Sequence, residues 1–362
     1  MTGFALYRLP HEQQVTMVAQ TEGEPLELAS CEALNGQTGF VVAPFAVSTD
    51  MPIVLIRPDI VKTFPSVPDS SSIGNCQFPW EEQAVPFGGT ASSLGGNSNR
   101  TTYSDDFSRF FLHLKNGDFR KLVLSRCAEE PVTEGVSPLE LYQRACQLYP
   151  RLFISLVYTA KSGLWLTATP EILLEGKGNE WRTIALAGTM KLKGDELLGE
   201  GESLTWSTKN IQEQRYVATY LKECLEQLAD NIQEEGPRTV RAANLVHLRS
   251  DFTFTILNNA RVGNVLQLLH PTPAVCGLPK KEAYDFILAN EHTPRLYYSG
   301  FMGPLNLSST THLFVSLRCM QITDNQYRLY AGGGLLKDSV EEQEWQETEA
   351  KMETMRRVLK TQ

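Results

Sequence analysis

The sequence predicts an α+β fold. Short apolar runs bounded by turn residues read as strands near the start and again beyond residue 120, and long helical patterns interrupt them. The strands do not alternate singly with helices, as a doubly wound sheet would require. No internal repeat is evident.

Over the first 60 residues GFALYRL, GFVVAPFAV and PIVLIRP are separated by turn residues and predict strands. From 65 to 104 the chain is rich in Pro, Ser, Gly and Asn (PSVPDSSSIGN, FGGTASSLGGNSNRTTYS), which predicts a mobile loop. A helical pattern after Tyr103 leads into RKLVLSRCAE, a strand with Lys121, Val123 and Ser125 on one face. A helix near 137–148 precedes strands at FISLVY, LWLTATPE and TIALAGT. Residues 203–233 predict one long helix and 279–290 another. HLFVSLRCMQI and QYRLYAGGG read as strands, and a last helix runs from near Val340 to the end.

Composition narrows the class. With 362 residues and 42% hydrophobic content, the chain can bury a large core as two average domains or one large one. A net charge of −9 without a basic cluster argues against a nucleic-acid partner. The longest apolar runs fall short of the roughly 20 residues that a spanning helix needs, so no membrane partner is expected. The start shows no secretory signal pattern. The seven cysteines are scattered without a CxxC, which predicts buried, reduced thiols and a cytoplasmic protein.

Four features carry chemistry. On the last helix Glu344, Glu347 and Lys351 form one stripe, either a solvated face or a site, and the preceding strand ends in Gly332-Gly333-Gly334, where backbone can approach a ligand. On the long helix Val217, Tyr220, Leu221, Cys224 and Leu228 define a buried face that extends to Glu213. A carboxylate there is costly unless it meets a cation, a donor or a metal, and hard oxygen ligands suit Mg²⁺. Glu171 follows Thr169-Pro170 at a strand end, where it either faces water or sits in apolar surroundings that raise its pKa for general acid work. Lys121 either snorkels at a sheet edge or, in a pocket, is desolvated into a base. The GGGLLK string lacks both phosphate-loop spacings, and HPTPAVCGLP reads as a rigid loop lining a pocket.

In order, KLVLSR (121–126), ATPEILL (168–174), ALAGT (185–189), KNIQEQ (209–214), LHPTPAVCGLP (269–279), RLYYSGFMG (295–303), SLRC (316–319) and LYAGGGLLKDS through EWQETEAK (329–351) resemble the chorismate-utilising enzymes. That family includes isochorismate, salicylate and aminodeoxychorismate synthases and the anthranilate synthase large subunit. The resemblance covers about 105–360 and leaves 1–104 as a divergent N-terminal portion. It implies one large domain over 1–362, with two sheets packed face to face and helices outside. It implies that Glu213 and Glu347, helped by Glu344, ligate Mg²⁺, and that the metal neutralises the ring carboxylate of chorismate. Arg318, Tyr298 and Lys351 would hold carboxylates or the enolpyruvyl arm, and Gly188, Thr189, Gly332, Ala274 and Val275 would line the pocket.

Lys121 stands where amine-transferring members resemble one another in having Gln, and Ala187 stands where aminodeoxychorismate synthases have a nucleophilic Lys. The resemblance therefore implies isochorismate synthase chemistry: water adds at C2 and the C4 hydroxyl leaves, with Lys121 as base and Glu171 as acid. The product would feed menaquinone or, alternatively, a catechol siderophore. The competing expectations are a salicylate synthase, which goes on to eliminate pyruvate, and an inactive chorismate-binding paralogue. A monomer is expected. Asn210, Gln214 and Gln346 depart from frequent Asp, His and Arg, and the first two put the metal's outer shell in question.

Overall fold

The computed structural model describes residues 1–68, 100–191, 205–242, 245–256 and 262–360. Most of the predicted 65–104 loop therefore lies outside the described residues, as does Cys76, and residues 100–104 already belong to a helix.

In chain order the strands begin with β1 (Gly3–Arg8), β2 (Val15–Gln20), β3 (Leu26–Leu28), β4 (Gly39–Ala43), β5 (Ile53–Ile56) and β6 (Ile60–Phe64). Helix α1 (Arg100–Asn116), β7 (Lys121–Pro131) and α2 (Pro138–Leu148) follow, then β8 (Phe153–Thr159), β9 (Gly163–Thr169), β10 (Ile172–Lys177) and β11 (Glu180–Lys191). Next come α3 (Thr208–Leu225), β12 (Asp230–Ala242), β13 (Leu245–Thr255), α4 (Val262–Leu269), β14 (Gly277–Leu278) and α5 (Lys280–Asn290). The chain closes with β15 (Phe301–Leu305), β16 (Thr310–Val315), β17 (Cys319–Ile322), β18 (Gln326–Leu335) and α6 (Glu341–Leu359).

The strands form two antiparallel sheets, β14-β7-β18-β17-β9-β8-β1-β2-β6 and β12-β13-β11-β10-β16-β15-β4-β5-β3. Side chains alternate across a strand, so β8 shows how the layers stack. Ile154 and Leu156 pack outward with residues of α2 and α6. Phe153 and Val157 point inward to the second sheet, where Phe153 stacks on Phe314 at 4.2 Å between ring centroids. Helices α3 and α4 cover the outer face of the second sheet. This is the expected α+β arrangement of face-to-face sheets with helices outside. Because both faces of many strands are covered, β4, β5, β8 and β9 are buried along their whole length.

Two expectations fail. The long helix ends at Leu225 rather than near Gln233, and Asp230 begins an edge strand paired with β13. The charge-rich stretch after Leu225 has helical composition, yet pairing with β13 overrides that weak propensity. HLFVSLRCMQI is also not one strand. It breaks at Ser316–Arg318, where the chain leaves the second sheet as β16 and enters the first as β17. Arg318 makes the turn with φ of 47°, and no Gly or Pro marks it.

Candidate active site

The reverse crossing lies alongside. Pro170 and Glu171 carry the chain from β9 in the first sheet to β10 in the second. The two crossings are hydrogen-bonded together: Val315 N–H donates to Glu171 O at 2.9 Å, and Ala168 N–H donates to Arg318 O at 3.0 Å. Glu171 and Arg318 thus stand side by side where the sheets exchange chain.

They line a cleft together with Gly188, Thr189, Glu213, Ala274, Val275, Tyr298, Gly332 and Lys351. Every substrate-binding position expected from the sequence is in that lining. Lys121 lies behind its wall, with no exposed surface, and its Nζ is 3.0 Å from Glu213 Oε1. It is a fully buried lysine and does not snorkel at an edge. Glu347 lines an outer groove that meets the cleft at Thr189, and Glu344 is buried beneath it.

Burial pushes the Glu171 carboxyl up to about 8 against the pull of Lys121, Arg318 and Lys351, so it keeps its proton at neutral pH. Arg318 is tied on one side only. Its Nη2 donates to His247 Nε2 at 2.9 Å, while Nη1 is buried with no hydrogen-bond partner among the described residues. A guanidinium nitrogen can only donate, so Nε2 must accept and the imidazole carries its proton on Nδ1, donating to Gly188 O at 3.0 Å. Burial first, then the charges of Arg318 and Lys351, hold the His247 pKa well below its usual value, which keeps the ring neutral. His247 was not anticipated. It lies on β13, a strand the sequence reading passed over, and its only signal is a lone polar ring among LVHL.

A positive φ of 69° at Gly188 accompanies a register shift in β11, and a Cβ there would press on Asn210 at 3.1 Å. Asn210 therefore packs on the pocket backbone. Gln214 turns away from the cleft and donates to Ala185 O at 3.1 Å and Ser250 Oγ at 3.3 Å, anchoring α3 on the second sheet. The position that departs from His is thus part of the seat of α3. Gln346 is a surface residue bonded to Glu342.

The three candidate metal ligands each meet a lysine: Glu213 with Lys121, Glu347 with Lys351 at 2.7 Å, and Glu344 with Lys209. All three carboxylates approach the glycine end of β18. A Cβ on Gly334 would collide with Glu213 Oε1, and one on Gly333 would lie 3.4 Å from Glu344 Oε2. That Oε2 is buried without a close donor, the Ser339 hydroxyl standing nearby. Burial and the neighbouring Glu347 push the Glu344 pKa up, with Lys209 opposing. Burial also works against ionised Glu213, but Lys121, Lys209 and Lys351 outweigh it and hold its pKa low. Among the described residues no three His, Cys, Asp or Glu side chains form a ready metal cage. The donor chemistry fits a hard divalent cation: carboxylate oxygens only, one of them buried and short of a donor.

The family described as chorismate binding enzyme matches residues 87–360. The chain belongs to that family. As a chorismate binding enzyme it is 28% identical over 282 residues to isochorismate synthase EntC of Escherichia coli K12, covering 77% of this chain and 69% of that one. It is 31% identical over 248 residues to isochorismate synthase MenF of the same organism, covering 68% of this chain and 57% of that one. The solved structure of the menaquinone-specific isochorismate synthase MenF from Escherichia coli superposes with a TM-score of 0.78 at 22% identity, over 99% of this chain and 89% of that one. That likeness establishes the shared fold. Six cysteines are free and buried among the described residues, and no described helix is long and apolar enough to cross a membrane.

Proposed function

We propose that this chorismate binding enzyme is an isochorismate synthase, acting in the cytoplasm as a monomer on chorismate. The observation that carries the reading is a buried lysine and a buried carboxyl at one cleft, burial raising the carboxyl's pKa, with Ala187 in the lining where a lysine nucleophile would stand. Lys121 takes a proton from water as its oxygen bonds to C2, the ring double bonds shift, and Glu171 protonates the C4 hydroxyl as its bond to the ring breaks. The free Nη1 of Arg318 receives a substrate carboxylate, and the neutral His247 holds that guanidinium without competing for the anion. Tyr298 and Lys351 bound the same space.

Glu213 and Glu347, with Glu344, are the residues that would hold Mg²⁺. When bound, the metal neutralises the ring carboxylate. The reading is supported by the three carboxylates gathered at Gly333 and Gly334.

Incubating the pure protein with chorismate and Mg²⁺ should yield isochorismate, resolved by chromatography. Stoichiometric pyruvate without added isochorismatase would replace this reading with a salicylate synthase. Chelation should stop turnover and Mg²⁺ restore it; full activity after rigorous chelation removes the metal role. Light scattering on the eluting protein checks the monomer. Restoration of a menaquinone-requiring or a siderophore-deficient strain separates the two destinations of the product.

A further inference from the structure

Three lysines pair with three carboxylates beneath the cleft, and two of those lysines already have work there. Lys121 is sealed in, with no exposed surface. Lys351 is held by both Glu347 and Gly332 O at 2.7 Å. Lys209 has no role in the reaction proposed above, and its position is unfavourable on helical grounds. It stands in the first turn of α3, where the helix dipole disfavours a cation, and it precedes Glu213 by four residues, the weaker order for such a pair. What holds it there is Glu344, whose side chain is 2% exposed against 24% for Lys209. Glu213 and Glu347 attract the same ammonium. One cation thus sits among the three carboxylates that a divalent ion would need.

We propose that Lys209 is a displaceable counterion that occupies the metal's place, so that Lys209 and Mg²⁺ exclude one another at Glu344. This rests on the metal reading of Glu213, Glu344 and Glu347. With Lys121 neutral as the base, three carboxylates face two ammonium groups, and a dication added to them would leave one uncompensated positive charge. Expelling one lysine relieves that excess. Lys209 is the one able to leave, because its side chain reaches solvent while Lys121 is enclosed and Lys351 is pinned at both ends. Rotating its long stem outward breaks one ion pair and gives the ammonium back to water.

The test is metal affinity. Mg²⁺ titrated by calorimetry, and Mn²⁺ followed by its paramagnetic resonance, should bind Lys209→Gln at least about tenfold more tightly than wild type, because one competing unit charge is gone. Lys209→Arg keeps the competitor and should stay within about threefold of wild type. Acylation mapped by mass spectrometry on the wild-type protein should label Lys209 more when Mg²⁺ is added, and this readout decides the matter alone if Lys209→Gln fails to fold. Equal or weaker binding by folded Lys209→Gln, or Lys209 labelling unchanged or reduced by Mg²⁺, overturns the proposal. Failure of the metal reading looks different: neither wild type nor Lys209→Gln binds saturably, or Glu347→Gln binds as well as wild type.

Discussion

Glu171 can act as an acid at neutral pH only because burial holds its proton, and that has two measurable results. The alkaline limb of kcat/KM should fall near pH 8, where the carboxyl ionises, and a profile flat through pH 9 would remove Glu171 as the acid. Lys121→Ala and Glu171→Gln should each lower turnover by about 10² to 10⁴ while the far-ultraviolet dichroism stays unchanged; near-normal rates in either would sink the acid–base pair. Stability carries the same signature. A folded pKa raised above its unfolded value means the folded state holds a proton that the unfolded state releases between about pH 4.5 and 8. This group's contribution is full below that window and declines by about 1.4 kcal/mol per pH unit across it. Glu171→Gln should therefore melt higher than wild type at pH 8, and the difference should shrink toward pH 4.5.

Among the elements, the end of β18 is closely fitted to the site. Gly334 has no room for a methyl: Glu213 Oε1 would collide with it, and Lys121 Cε would lie 2.9 Å away. Gly334→Ala should displace the Glu213–Lys121 pair and reduce turnover at least about 100-fold, more than it lowers the melting temperature. Equal rates in this variant would mean that the pair is not held against β18. The elements also show what the sequence made legible. Motif order along the chain brings Lys121, Glu171, Glu213 and Arg318 forward as candidates, and the structure gathers them about one cleft. His247 and Lys209 are not legible as site residues because their contacts are with partners far off in sequence: Gly188 and Arg318 for one, Glu344 for the other. The break at Ser316–Arg318 escaped because the turn uses a left-handed arginine instead of Gly or Pro, so the apolar run reads as continuous.

In the whole molecule, the two sheets are joined face to face by a common aromatic core, and the cleft opens where the chain crosses between them. Phe153 and Phe314 stack across the layers with 8° between their planes. Phe314→Ala should cost about 3–5 kcal/mol in denaturant unfolding, since neither sheet can close over the void alone. A loss under 1 kcal/mol would mean that the layers repack freely.

The strands before residue 65 are the distal part of both sheets, β1 with β2 and β6 in one, β4 with β5 and β3 in the other. The family match begins only at residue 87, so a gene trimmed to that boundary would lose all six. It would uncover the backbone of β8, normally paired with β1, and of β15, normally paired with β4. Both are apolar and buried along their length. Two bare edges on one molecule are templates for strand addition between copies, and growth at both would not close. The trimmed protein should therefore sediment as large aggregates while the full chain stays dispersed, which makes the segment before the family match its guard against polymerisation.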